Sequence, residues 1–186
     1  MKKIFSIGLF LSVFFFAFVA NATDNFEYIP YVGIDYGYVD AKTSYAKPSY
    51  HLLNLNVGTK YNQNFGTEAF FTQSSSDTTK IADSKKFKTS YRAYGLDVFA
   101  YLPLGCYKTF ELFGTIGAGE YVFKTKLNKD KHDKESAFGY RFGAGIVYNV
   151  DENISLRTMV RYVDLNDISK INHLYEYSLG LRYNFY

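Results

Sequence analysis

Tyr175-Glu-Tyr-Ser-Leu-Gly-Leu-Arg-Tyr-Asn-Phe-Tyr186, at the end of the sequence, alternates without a break. Large apolar or aromatic residues fall at Tyr175, Tyr177, Leu179, Leu181, Tyr183 and Phe185. Glu176, Ser178, Gly180, Arg182 and Asn184 fall between them. Successive side chains of a strand point to opposite faces, so this period predicts a strand with one apolar and one polar face. Tyr186 stands one residue past the end of the pattern.

Seven more stretches read the same way, at about 32–38, 53–61, 65–74, 94–102, 110–123, 138–148 and 154–162. In the sixth, Phe138, Tyr140, Phe142, Ala144, Ile146 and Tyr148 oppose Gly139, Arg141, Gly143 and Gly145. Most of these stretches span about nine to eleven residues, the length of a tilted strand crossing a bilayer. The connections at 62–64, 103–108 and 151–153 are short and rich in turn formers. Those at 41–49, 75–88, 124–136 and 164–174 are longer and polar. Eight antiparallel strands with both termini on one side give this pattern of three short turns and four long loops.

Which face forms the core decides between two folds. In water, a soluble barrel or sandwich buries its apolar face. A transmembrane barrel turns that face to lipid and its polar face to the lumen. Tyrosines gather at the strand ends, as interfacial girdles require. Glycines share the other face with charges of both signs, and an eight-stranded bore has room only for packed side chains. No pattern predicts a helix to cover either face. The reading is an all-β, eight-stranded antiparallel up-and-down transmembrane β-barrel. A soluble exported barrel holding an apolar ligand is the competing fold.

Residues 1–22 read as a cleaved signal peptide. Met1-Lys2-Lys3 is followed by an apolar run from Ile4 to Val19 and by Ala20-Asn21-Ala22, with cleavage expected before Thr23. A membrane anchor would need a longer run. The barrel domain is then expected at 23–186, with 19 basic against 18 acidic residues. A charge so near neutral gives no footprint for nucleic acid. The single cysteine, Cys106, excludes a disulfide framework. It falls in a predicted turn and reads as incidental.

The signal segment, the eight stretches and the closing Ser178-Leu-Gly-Leu-Arg-Tyr-Asn-Phe185 resemble the family of small bacterial outer-membrane β-barrel proteins, which groups the OmpA-like transmembrane domain with opacity-type surface antigens. The resemblance covers roughly residues 26–186. It implies a Gram-negative outer-membrane location, with outer-membrane lipid, lipopolysaccharide and the barrel-assembly machinery as partners. It implies that a terminal aromatic preceded by alternating apolar residues is the assembly signal, here Tyr177, Leu179, Leu181, Tyr183 and Phe185. The function class it implies is structural or surface-exposed: envelope integrity, adhesion or antigen display. The peptidoglycan-binding domain that OmpA-like proteins often add is not carried over to this sequence.

The polar face places Asp35, Lys60, Glu68, Asp97, Arg141, Arg157, Arg161, Glu176 and Arg182 in the lumen. Charges removed from bulk water need partners. A charge network among these residues, plugging a monomeric barrel, is the expectation; a narrow porin-like channel is the alternative. An outer-membrane lipid A-modifying enzyme would need a base beside a nucleophile. His51, His132 and His173 and Ser74 to Ser76 lie on the loop side, with no signature joining them. No cofactor or metal site is predicted, because these histidines lie at no ligand spacing. The lysine-rich loops at 80–88 and 124–136 offer Lys85, Lys86, Lys126, Lys129 and Lys131 for binding lipopolysaccharide phosphates or host surface molecules. A solvated loop tip is the plainer reading of the same residues.

Overall fold

The computed structural model describes residues 28–43, 49–81, 85–105, 109–127, 131–165 and 171–186. The expected signal peptide and Cys106 lie outside them. The strands are β1 (Ile29–Thr43), β2 (Ser49–Lys60), β3 (Phe65–Ser74), β4 (Asp77–Ile81), β5 (Lys85–Leu104), β6 (Phe110–Leu127), β7 (Lys131–Asn149), β8 (Ile154–Leu165) and β9 (Ile171–Asn184). All pairings are antiparallel. Eight strands close a ring. β1 pairs with β9 from Tyr31↔Asn184 upward, and β3 pairs with β5 from Phe65↔Ala100 to Gln73↔Arg92. Closure leaves no edge strand in the wall.

β4 stands outside the ring and pairs only with the start of β5. Sequence reading places a loop over 75–88 and another over 124–136. The structure instead runs β5, β6 and β7 to 20, 18 and 19 residues, well past the ten or so that cross a bilayer. With β4 they build a four-stranded ribbon above the wall. These segments contain neither Gly nor Pro, and Thr78, Thr79, Thr89 and Thr125 suit extended backbone.

The short turns follow from local chemistry. Asn62 Oδ1 accepts the Asn64 and Phe65 amides, both at 2.8 Å. Asp151 Oδ1 accepts those of Asn153 and Ile154 at 2.8 and 2.6 Å. Both are Asx turns, which favour Asn and Asp. Gly105 ends β5 at φ 74°, a conformation open to glycine at no steric cost.

Burial alternates along most of the wall and runs inside out for a protein in water. Leu96 and Val57 are 66% and 61% exposed, while Arg141 and Arg157 are 1% exposed. The apolar wall therefore faces lipid. Tyr36, Tyr38, Tyr94, Tyr140 and Tyr177 lie toward its outer edge, and Phe110, Tyr148, Tyr183 and Phe185 toward the edge with the short turns. Together they form two girdles.

Candidate functional site

The bore is filled in three layers. At the turn end, Phe99, Tyr101, Phe113, Val147 and Met159 pack together, with Phe99 stacked on Tyr101 at 5.7 Å. At the loop end, Tyr50, Leu52, Tyr91, Tyr121, Phe123, Val163 and Leu174 belong to a larger apolar cluster. A belt of charges lies between. A bore packed with charge along its length is the sequence expectation. The structure differs because the strands rise beyond the membrane, where both faces of the wall carry apolar residues and the inner set closes the mouth.

The belt contains two balanced groups. In the first, Arg157 Nη2 lies 2.6 Å from Asp35 Oδ2, and its Nη1 lies 2.7 Å from Glu68 Oε2. Arg182 reaches the same Glu68 oxygen at 3.1 Å. Asn54 and Asn56 donate to Asp35 at 2.7 and 3.0 Å, and Tyr31 donates to Glu68 at 3.0 Å. Two carboxylates thus meet two guanidiniums and three neutral donors. Buried ions tolerate their desolvation only with such partners.

The second group is looser. Asp97 lies 2.8 Å from Arg141 Nη2 and 3.5 Å from Arg161 Nη2, and Arg161 Nη1 lies 3.1 Å from Glu176. The Arg141–Asp97 contact is an ion pair by distance, but its angles fall short of a hydrogen bond. Arg141 also stacks over Phe70, 3.5 Å from the ring centroid, an attraction that strengthens when desolvated. Lys60 sits apart at the turn end. It pairs with Glu111 at 2.7 Å and lies 4.4 Å over the Tyr101 ring.

The nine residues thus fall into two groups of four and a separate lysine, and the ion pairs among the described residues stay within each group. Glu111, the partner of Lys60, is missing from the sequence-based set. It lies in the stretch whose two faces are hardest to tell apart in sequence, although Glu111, Phe113, Thr115 and Gly117 share the inner parity. Asn54, Asn56 and Tyr31 are further belt members missed in sequence, and Tyr91 of the loop-end layer donates its hydroxyl to Glu176 at 3.2 Å; neutral hydrogen bonding leaves no charge signature.

Glycine makes the belt possible. A Cβ on Gly180 would collide with Asp35 Oδ1, and one on Gly117 with Asp97 Oδ1. Each carboxylate occupies space that any other residue opposite would fill.

Two of the loop-side histidines, His51 and His173, engage tyrosines, and the side chain of His132 lies outside the described ones. His51 Nδ1 lies 2.9 Å from the Tyr36 hydroxyl, and the His51 backbone amide, not its ring, donates to Ser75 Oγ. His173 stacks on Tyr162 at 5.8 Å. Among the described residues, no cluster of three His, Cys, Asp or Glu is arranged to hold a metal ion.

Among the lysine candidates, Lys85 pairs with Ile81 and Lys86 with Lys80. Lys126 pairs with Lys88 and His132, and Lys131 with Leu127. Lys129 lies outside the described residues. Tyr177, Leu179, Leu181, Tyr183 and Phe185 all face outward, and the Phe185 amide donates to the Pro30 carbonyl at 2.8 Å.

A family model described as outer membrane protein beta-barrel domain matches residues 9–185. No curated protein matches the sequence. Among solved structures, Neisserial surface protein A aligns at TM-score 0.69 and 16% identity, covering 84% of this chain and 97% of that one. A major outer membrane protein from Thermus thermophilus aligns at 0.67 and 12%, covering 86% and 100%. Ail, the attachment invasion locus protein of Yersinia pestis, solved with the heparin analogue sucrose octasulfate, aligns at 0.63 and 18%, covering 86% and 99%. At these identities the likeness is one of fold.

Proposed function

The chain belongs to the outer membrane protein beta-barrel domain family, and we propose that it serves as a closed, monomeric membrane anchor presenting its extracellular ribbon for adhesion. The protein is an outer-membrane barrel of bacterial type. The observation that supports the anchor reading is the filled bore, with an apolar layer at each end and ion pairs between. To pass, small solutes would have to break buried ion pairs and push apart both apolar layers. Eight-stranded bores are in general just wide enough for side chains to fill. Activity then falls to what stands outside the membrane, and binding residues concentrate on such projections. The name and bound ligand of Ail, a barrel of the same fold that is an attachment protein, agree with this reading.

The test combines two measurements on one purified protein. Planar-bilayer recording should show no reproducible channels. Replacing residues 77–89 and 124–135 with short turns should leave the barrel heat-modifiable on gels but abolish adhesion to host cells. Steady channels would overturn the closed-anchor reading, and undiminished adhesion would overturn the ribbon's role.

A further inference from the structure

The outward residues of β6 mark the membrane boundary. Leu112, Gly114, Ile116 and Ala118 carry no polar side chain, and Glu120 is the first charge on that face. A carboxylate on the lipid side of a strand stands where acyl chains give way to water. The register surrounds it with rings. Tyr94 of β5 and Phe138 of β7 are its cross-strand partners, and one step toward the membrane Leu96 and Tyr140 flank Ala118. Tyr94, Phe138 and Tyr140 are all exposed on this face. Phe138 and Tyr140 meet edge to face at 5.4 Å. Tyr140 stands directly opposite Ala118, and Tyr94 and Phe138 stand diagonal to it, a spacing that aromatic side chains span. Ala118, with a single methyl group, is thus the floor of a notch walled by three rings and one carboxylate.

We infer that this notch is a binding site for a quaternary ammonium group, carried by a phosphocholine headgroup or by a free solute such as choline. Aromatic faces attract a cation, most strongly where water is excluded. Glu120 supplies the net charge. The ion pairs among the described residues all lie elsewhere, so no protein cation offsets its carboxylate there. The Tyr94 hydroxyl donates to Glu120 Oε2, which holds the ring beside the acid and leaves the other oxygen to face the notch. The chemistry of the walls selects the kind of cation. A lysine ammonium brings three donors that need acceptors, and three rings supply almost none. A quaternary ammonium has no N–H to satisfy and presents only methyl groups, which suit ring faces. A calcium ion takes about six to eight oxygen ligands, and one carboxylate does not supply them. The inference does not rest on the ribbon's role in adhesion, since the notch lies in the wall.

The test uses the purified full barrel in a maltoside detergent, which carries no ammonium group. Choline is titrated while nuclear magnetic resonance follows the Ala118 methyl group. A saturable shift is expected, and the neutral analogue with carbon in place of the nitrogen should give none. Glu120→Gln should bind choline about tenfold more weakly, and so should the double variant Phe138→Leu with Tyr140→Leu. Tyr148→Leu, which removes a ring from the turn-end girdle, should bind as the unchanged protein does. Heat-modifiable migration verifies that each variant is folded. Dihexanoyl phosphatidylcholine, kept below its micellar concentration, is titrated in parallel. Binding tighter than that of choline assigns the site to a lipid headgroup, and equal or weaker binding assigns it to a free solute; both support the inference. Four results would overturn it: a shift that never saturates, an equal shift with the neutral analogue, unchanged binding by Glu120→Gln or by the double variant, or tighter binding of N-acetyl-lysine amide. The last would point to a basic side chain of a protein partner instead.

Discussion

Arg157 and Asp35, 122 residues apart in sequence, meet in the middle of the bore through two hydrogen bonds of 2.6 and 3.2 Å. The same guanidinium donates to Glu68 at 2.7 Å, so one side chain from β8 ties β1 to β3 across the lumen. Replacing it leaves Asp35 without a cation and Glu68 with Arg182 alone. Arg157→Met should lower stability by about 3–5 kcal/mol, the loss typical when one member of a buried ion pair is removed. Adding Asp35→Asn to Arg157→Met should recover some of that loss, because Arg182 still balances Glu68 and no buried charge is then left unpaired. Urea unfolding in lipid, followed by the folded band on gels, measures both. A double variant no more stable than the single one would show that the belt is held by shape and not by charge balance.

Gly180 and Gly114 test the packing beside that belt. A methyl group on Gly180 meets Asp35 directly, whereas one on Gly114 finds its nearest neighbour at 4.0 Å. Gly180→Ala must displace the carboxylate from Arg157, and overpacking of this kind destabilises by about 1–3 kcal/mol. Gly114→Ala should be neutral or slightly stabilising. Thermal midpoints of the heat-modifiable transition compare the two, and equal midpoints would contradict the crowding at Gly180.

Leu174 and Leu179 carry the same side chain to opposite environments. Leu174 is fully buried in the outer apolar layer, and Leu179 is 59% exposed on the lipid face. Leu174→Ala leaves a cavity among rigid neighbours and should cost about 3–5 kcal/mol. Leu179→Ala should cost about 1–2 kcal/mol, the transfer loss alone, because mobile acyl chains fill the gap. Unfolding midpoints in lipid vesicles decide the matter. An equal or reversed order would mean that Leu174 does not belong to a packed plug.

The sequence made the wall legible and the ribbon illegible for one physical reason. Between lipid and lumen, a strand must change chemistry at every step, and Phe138 to Tyr148 show this plainly. Above the membrane neither face meets lipid, so Lys85 to Thr89 and Lys124 to Glu135 lose the apolar rhythm and read as loops. The apolar layer at the mouth was hidden for the same reason. Tyr50, Leu52 and Leu53 stand almost together in sequence, and nothing local says that the first two turn inward. The charged members of the belt were readable because charge on a strand facing away from lipid has few places to go. Which acid meets which base was not readable, because Arg157–Glu68 and Arg182–Glu68 depend on register across the barrel.

The terminal residues bear on assembly. Phe185 is tied by its amide to Pro30 at 2.8 Å, and its ring packs edge-on against Tyr183 at 5.1 Å. It thus continues both the seam with β1 and the outward aromatic row. Tyr186 lies one residue beyond, 72% exposed. Deleting Tyr186 should leave the folded fraction in the outer membrane unchanged. Phe185→Ala should reduce that fraction severalfold, since it removes the last outward aromatic of the closing strand. Quantifying heat-modifiable protein in membrane fractions separates the two. If the deletion abolished insertion while Phe185→Ala did not, the terminal signal would be read one residue later, in the register of Tyr186.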